Sequence, residues 1–208
     1  MNNQLFRKTQ DKIKDFGKTK VGRLIISLAV ILGFAIIPMV IHSNYIVRII
    51  VTAGVYAIMA IGLNIILGYT GLLNLGYAAY FAVGAYMWAL LASPKFNLHW
   101  PFLVVFLLAG LTAGILGFLL AIPGLKLKGD YLALVTIAFG EGIRILVNNM
   151  SFTNGAMGIM QIDPIKIGSF TAKTVQNYYY IVLIIVTILV VLVRRLENSR
   201  IGNAWMAV

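Results

Sequence analysis

Six predominantly apolar stretches, at residues 24–41, 45–67, 72–92, 100–122, 131–150 and 178–193, constrain this chain more than any other feature of its sequence. A helix rises about 1.5 Å per residue, and a bilayer's hydrocarbon core is about 30 Å thick. The first five stretches, of 18 to 23 residues, are long enough to cross it upright or tilted. The sixth has 16 residues, opening on Tyr178, Tyr179 and Tyr180, whose rings suit the headgroup level and complete the crossing. With 61% hydrophobic and 11% charged residues, the 208-residue chain carries more apolar surface than a soluble core of that size encloses. Lipid satisfies no backbone polar group, so runs of this length are expected to be helices. The expected fold class is all-α, a polytopic transmembrane helical bundle of about six spans. Only Gly68-Tyr69-Thr70-Gly71 separates the second from the third, which leaves a tight hairpin or a broken helix there.

The net charge of +11 has the magnitude of a nucleic-acid binder, but the positions of the charges exclude that class. Seven of the 17 basic residues lie in the first 23 positions, and most others flank the apolar runs. With the N-terminus inside, the cytoplasmic side collects twelve: the tail's seven, Lys126 and Lys128, and Arg194, Arg195 and Arg200. The outer side then holds Arg48, Lys95, Lys166 and Lys173, while Arg144 lies within a span. That bias follows the positive-inside rule and puts both termini in the cytoplasm. His42-Ser43-Asn44 after the first span is no small-x-small cleavage site, so the span is expected to be retained rather than removed as a signal peptide. The chain divides into a basic cytoplasmic tail (1–23), a transmembrane domain (24–193) and a cytoplasmic segment (194–208). The loop 151–177 is external, with turns expected at Asn154-Gly155-Ala156-Met157-Gly158 and Asp163-Pro164.

Glu141 and Arg144 sit near the middle of the fifth span, where a lone charge is costly and commonly functional. Their spacing puts them on one helical face, so they can pair, either as a self-neutralised couple buried between helices or in contact with a permeating solute. Gly140 and Gly142 flank the glutamate and are expected to weaken the helix, as in discontinuous transporter helices. Asn64 and Asn74, in or beside spans two and three, suit interhelical hydrogen bonds or the lining of a translocation path. Gly110, Gly114 and Gly117 fall near one face of the fourth span and suit close helix packing. His42 and His99 lie at outer span ends without metal-ligand spacing, and cysteine is absent, so no metal site is expected. Gly17-Lys18-Thr19 lacks the upstream glycine of a phosphate loop, and neither a zinc-protease nor a serine-hydrolase motif occurs. No enzyme chemistry, and no bound cofactor, is expected of this chain.

Four stretches, in matching order over roughly residues 55–208, resemble the branched-chain amino-acid ABC permease family. The first is Gly62-Leu63-Asn64-Ile65-Ile66-Leu67-Gly68-Tyr69-Thr70-Gly71-Leu72-Leu73-Asn74-Leu75-Gly76. The second is Lys128-Gly129-Asp130-Tyr131-Leu132-Ala133-Leu134-Val135-Thr136, followed by Phe139-Gly140-Glu141 and Arg144. The third is Thr153-Asn154-Gly155 with Gly158-Ile159, and the fourth runs from Ser199 through Arg200, Gly202, Ala204 and Trp205 to Ala207. The resemblance implies the permease subunit of an ATP-driven importer for branched-chain amino acids or related small solutes in a bacterial inner membrane. It further implies a second homologous permease subunit, two cytoplasmic ATPase subunits that bind ATP and magnesium, and an external solute-binding protein. Arg200, Gly202, Ala204 and Trp205 then lead toward the ATPase-coupling loop, although Asn203 stands where family members commonly have arginine. The family pattern continues beyond Val208, so the chain is read as an N-terminal portion of a permease. A structural or regulatory membrane subunit is the competing reading, and a proton-coupled transporter using Glu141 a third.

The charge bias makes the topology testable by reporter fusions. Fusions after Ile41, after Ala92 and within 151–177 are expected to report the outside, and those after Leu67, Ile122 and Val193 the cytoplasm. A cytoplasmic signal from 151–177 would reverse the assignment.

Overall fold

The computed structural model describes residues 20–41, 43–69, 71, 73–93, 100–124, 130–168, 170–197, 199–200 and 202. Among these, six α-helices follow in order: α1 (Lys20–Val40), α2 (Asn44–Asn64), α3 (Tyr77–Leu91), α4 (Phe102–Gly124), α5 (Asp130–Asn149) and α6 (Val175–Glu197). Most of the basic tail, His42, His99, Lys95, Lys126 and Lys128 lie outside the described residues.

Four helical segments have the length and apolar character to cross a membrane: Asn44–Gly68, Phe102–Ile122, Tyr131–Asn149 and Val175–Glu197. At most 17% of any of these spans is buried inside the chain. Leu107 and Phe118 of α4, for instance, are each 70% exposed, a display of apolar surface that water disfavours and lipid accepts. The chain is therefore a multi-pass helical membrane protein. The sixth stretch, apolar for 16 residues, lies in a helix of 23. Tyr179 is buried within the chain, and its hydroxyl lies 2.6 Å from the Phe34 carbonyl of α1.

The third stretch differs most from expectation. Its helix, α3, has only 15 residues, about 22 Å of rise, too short to cross by itself. The residues before it are divided otherwise. α2 runs on through a wide π-helical turn, Ile65–Tyr69, and Gly71 adopts the left-handed conformation (φ +66°) that glycine takes without penalty. The Asn74 side chain then accepts the Gly76 N–H (3.1 Å), and the Gly76 carbonyl accepts the Ala79 N–H (2.9 Å), which opens α3. The helical pattern is thus interrupted between the π turn and α3.

Packing divides the helices into two groups. α2 lies along α6, which α1 also contacts; α3 packs on both α4 and α5, and a smaller α2–α3 contact joins the groups. Close approach at Gly54 brings α2 onto Val182 of α6, where a Cβ would come within 2.6 Å of a valine methyl. Backbone meets backbone between Gly76 and α5. A Cβ on Gly76 would overlap the Thr136 carbonyl, and one on Gly140 would lie 3.4 Å from the Gly76 Cα. The Leu75 N–H donates to the Thr136 hydroxyl (3.1 Å) at the same crossing. α5 is continuous through Gly140 and Gly142, so these glycines do not break the helix as expected; Gly140 serves the close approach instead.

The segment after α5 is ordered by its own hydrogen bonds. The Thr153 hydroxyl lies 2.6 and 2.8 Å from the Val147 and Met150 carbonyls, occupying acceptors that the end of α5 leaves over. Asn154, Gly155 and Gly158 all have positive φ, so the expected turn is present, wrapped around a short 3₁₀ segment, Gly155–Met157. The Asp163 N–H donates to the Ala92 carbonyl (2.9 Å), tying the loop to the end of α3. A two-stranded antiparallel hairpin follows, β1 (Lys166–Ile167) and β2 (Phe170–Thr171), which corrects the all-α expectation for this loop alone.

Replacing Gly76 with alanine is expected to destabilise the folded protein by about 1–3 kcal/mol, the usual cost of overpacking. Gly84→Ala, within α3 and with open space around its Cα, should be neutral or stabilising because alanine favours helix. Thermal unfolding of the two variants in one detergent checks the contrast, and equal stabilities would contradict the packing described.

Candidate functional site

α3 and α5 diverge from the Gly76–Thr136 crossing and leave between them an open cleft of about 520 Å³. Small side chains on α3 create the space: Ala78, Ala79 and Ala82 line one wall, with Tyr86 beyond them. Ile137, Ile143 and Val147 of α5 make the other wall apolar, and Glu141 and Arg144 supply its charge. The floor is the backbone at Leu75 and Gly76, where α3 begins. Gly76 meets Thr136 and Gly140, six and ten residues into α5, so the floor lies about 9–15 Å along that span. The cleft thus opens inside the apolar thickness that α5 crosses.

The Glu141–Arg144 pair forms on the α5 face as the three-residue spacing predicts. Arg144 Nε donates to Oε2 at 2.9 Å and to Oε1 at 3.1 Å, and Nη2 donates to Oε1 at 2.5 Å. This forked, charge-assisted arrangement fixes both side chains. The pair is not buried between helices of this chain, as one expectation had it: the Arg144 and Glu141 side chains are 62% and 51% exposed, at the cleft. A matched pair on an apolar wall presents acceptor and donor side by side, an arrangement suited to a solute carrying both a cation and a carboxylate.

The asparagines have separate placements. Asn74 lies behind the cleft floor, where its side-chain oxygen accepts the Gly76 N–H and its amide nitrogen lies 3.4 Å from the Tyr80 hydroxyl. It therefore shapes the floor rather than lining the wall. Asn64 is exposed at the junction of α2 and the π turn, its side-chain oxygen 2.8 Å from where a Cβ on Gly68 would stand. It lies away from the cleft. Thr136 was legible only as part of a motif, yet its hydroxyl takes the Leu75 N–H and donates to the Ala133 carbonyl (2.9 Å). A threonine nearly two turns into a span, four residues before Gly140, was the available signal.

The three α4 glycines differ in their surroundings within this chain. Gly110 and Gly114 have open space around their Cα atoms and meet no other described helix, whereas Gly117 faces Tyr80 of α3, with 3.7 Å to a built Cβ. At the other end of the chain, Gly202 is buried against the Leu196 and Glu197 carbonyls, with its N–H 3.3 Å from the Ser199 hydroxyl. A side chain there would displace the backbone as it folds back on the end of α6. Arg200 is exposed beside it, and Ala204 and Trp205 lie outside the described residues.

The family model for the permease component of branched-chain amino acid transport systems matches residues 45–208. The high-affinity branched-chain amino acid transport system permease protein LivM of Escherichia coli (strain K12) is 49% identical over 109 residues, 52% of this chain. LivM of Salmonella typhimurium (strain LT2) is likewise 49% identical over 109 residues. The matched stretch spans 25% of the length of each of these relatives. No solved structure matches the chain.

The ion pair predicts a particular pattern of losses. Glu141→Ala leaves Arg144 without its partner in a span and should lower the folded protein recovered in detergent. Neutralising both residues should cost less than the sum of the single losses, because no orphaned charge remains. Strictly additive losses would argue that the two side chains act independently.

Proposed function

This chain belongs to the family of branched-chain amino acid transport permease components, and on that premise we propose that it is a translocation subunit of an ATP-driven importer. The observation that carries the reading is the Glu141–Arg144 pair on the wall of an apolar cleft whose floor lies within the membrane-spanning thickness. An amino acid has a cation and a carboxylate on one carbon, and a branched aliphatic side chain on the other flank. The paired charges offer a partner to each end group, while Ala79, Ala82 and Val147 accept the aliphatic part. The relatives' name, which includes branched-chain amino acid transport, agrees in size and polarity with this cleft.

The remaining machinery follows the same reading. Six crossings carry the chain through a bacterial inner membrane with both ends in the cytoplasm, a topology supported by the distribution of basic residues. Residues 1–23 form the tail, 24–193 the membrane domain, and 194–208 the approach to the ATPases. The cleft is open on one side, and a second homologous permease subunit completes the path. Two cytoplasmic ATPases bind ATP and magnesium and couple through the segment holding Arg200, Gly202, Ala204 and Trp205. The tight turn at Gly202 gives that segment a fixed departure from α6. An external solute-binding protein delivers the solute, and the chain itself binds neither cofactor nor metal.

Uptake of labelled leucine into proteoliposomes that hold the chain with these partners tests the proposal. ATP-dependent uptake is expected from the native assembly. Exchanging the two charges (Glu141→Arg with Arg144→Glu) keeps the pair neutral while inverting what it presents, so it should abolish uptake without disassembling the complex. Partner binding without any uptake by the native assembly would return the chain to a structural or regulatory role.

A further inference from the structure

A proline and a tyrosine outside the cleft form a second device. Pro38 lies inside α1 and is buried. It has no N–H, so the Phe34 carbonyl one turn earlier loses its helical donor, and the proline ring presses that carbonyl outward. In a membrane such an acceptor needs a partner from another element. Tyr179 of α6 supplies one: its ring is 4% exposed and its hydroxyl donates to the Phe34 carbonyl at 2.6 Å. Tyr180 reinforces the contact with its hydroxyl 3.4 Å from the Ala35 carbonyl, its ring packed edge-on against Tyr179 at 5.7 Å.

We propose that Pro38 and Tyr179 form a clasp that sets the angle of α1 against α6. The proline creates a joint in α1, and the tyrosine hydroxyl holds that joint at one angle by occupying the carbonyl the proline releases. α1 packs chiefly on α6, so this bond governs how the helix stands against the bundle. Gln176, one turn before Tyr179, is bonded to Asn44 at the start of α2 (3.0 Å), which anchors the α6 side of the clasp.

Removal of the hydroxyl and removal of the proline should compensate each other, which a merely space-filling tyrosine would not produce. The chain has no cysteine, so spin labels can be introduced at Val30 of α1 and Ile184 of α6, both more than half exposed. Pulsed electron resonance on the full chain in nanodiscs then reads the distance between the helices. Tyr179→Phe, which keeps the ring, should broaden the distribution and add a displaced population. Pro38→Ala in that background should return a single narrow distribution, because the new Ala N–H takes the Phe34 carbonyl. An unchanged distribution in Tyr179→Phe, or no recovery on adding Pro38→Ala, would overturn the clasp. Should Tyr179→Phe fail to fold, the yield of the double variant decides: recovery supports the proposal, and continued failure refutes it.

Discussion

Backbone meets backbone where Gly76 rests on the Thr136 carbonyl, and both the break in the chain and the cleft depend on that contact. α3 can begin in the middle of the membrane only because the groups exposed at its start are taken up there: the Leu75 N–H by Thr136, the Gly76 N–H by Asn74. Gly140 on α5 and Gly76 on α3 bring the two helices close enough for this to happen. Beyond the crossing the helices separate, and alanines on α3 keep the gap from being filled. A single side chain at position 76 would push α5 away from the floor and strain the Leu75–Thr136 hydrogen bond that crosses between them.

The same economy in polar groups recurs through the membrane region. Thr52, Thr112 and Thr187 each turn the hydroxyl onto a carbonyl of the preceding turn, which satisfies that hydroxyl within its own helix. Among the described residues no buried side-chain nitrogen or oxygen lacks a partner. Where the helical pattern is interrupted, at Pro38 and before α3, a side chain from another element or a nearby asparagine closes the account. Hydrophobic attraction between helices is weak in lipid, so these bonds and the glycine contacts carry much of the specificity of packing.

Helix positions were largely legible, because a run of apolar residues long enough to cross a bilayer admits few other structures. The charged pair at 141 and 144 was legible too, since spacing alone puts both on one face. Its exposure was not, for burial depends on where neighbouring helices stand. The short α3 escaped for a related reason: the stretch before it reads as apolar enough for a helix, yet Gly71 is left-handed and the Asn74 side chain takes the Gly76 N–H just before α3 opens. The three tyrosines opening α6 looked like headgroup anchors, and the role of Tyr179 emerges only when Pro38, 141 positions away, is set beside it. For the cleft, the sequence offered its two charges and one of its asparagines, while Thr136 and the alanine wall required the fold.

The ion pair on α5 is closed within a single turn of one helix. Each charge therefore finds its opposite as soon as the helix itself forms, without waiting for another segment to arrive. A span built in this way enters the bilayer already neutralised during synthesis, whatever the order in which its neighbours assemble around it. The polar equipment of the cleft is thus compatible with ordinary insertion, one hydrophobic segment after another, and the site needs no escort to be delivered to the middle of the membrane.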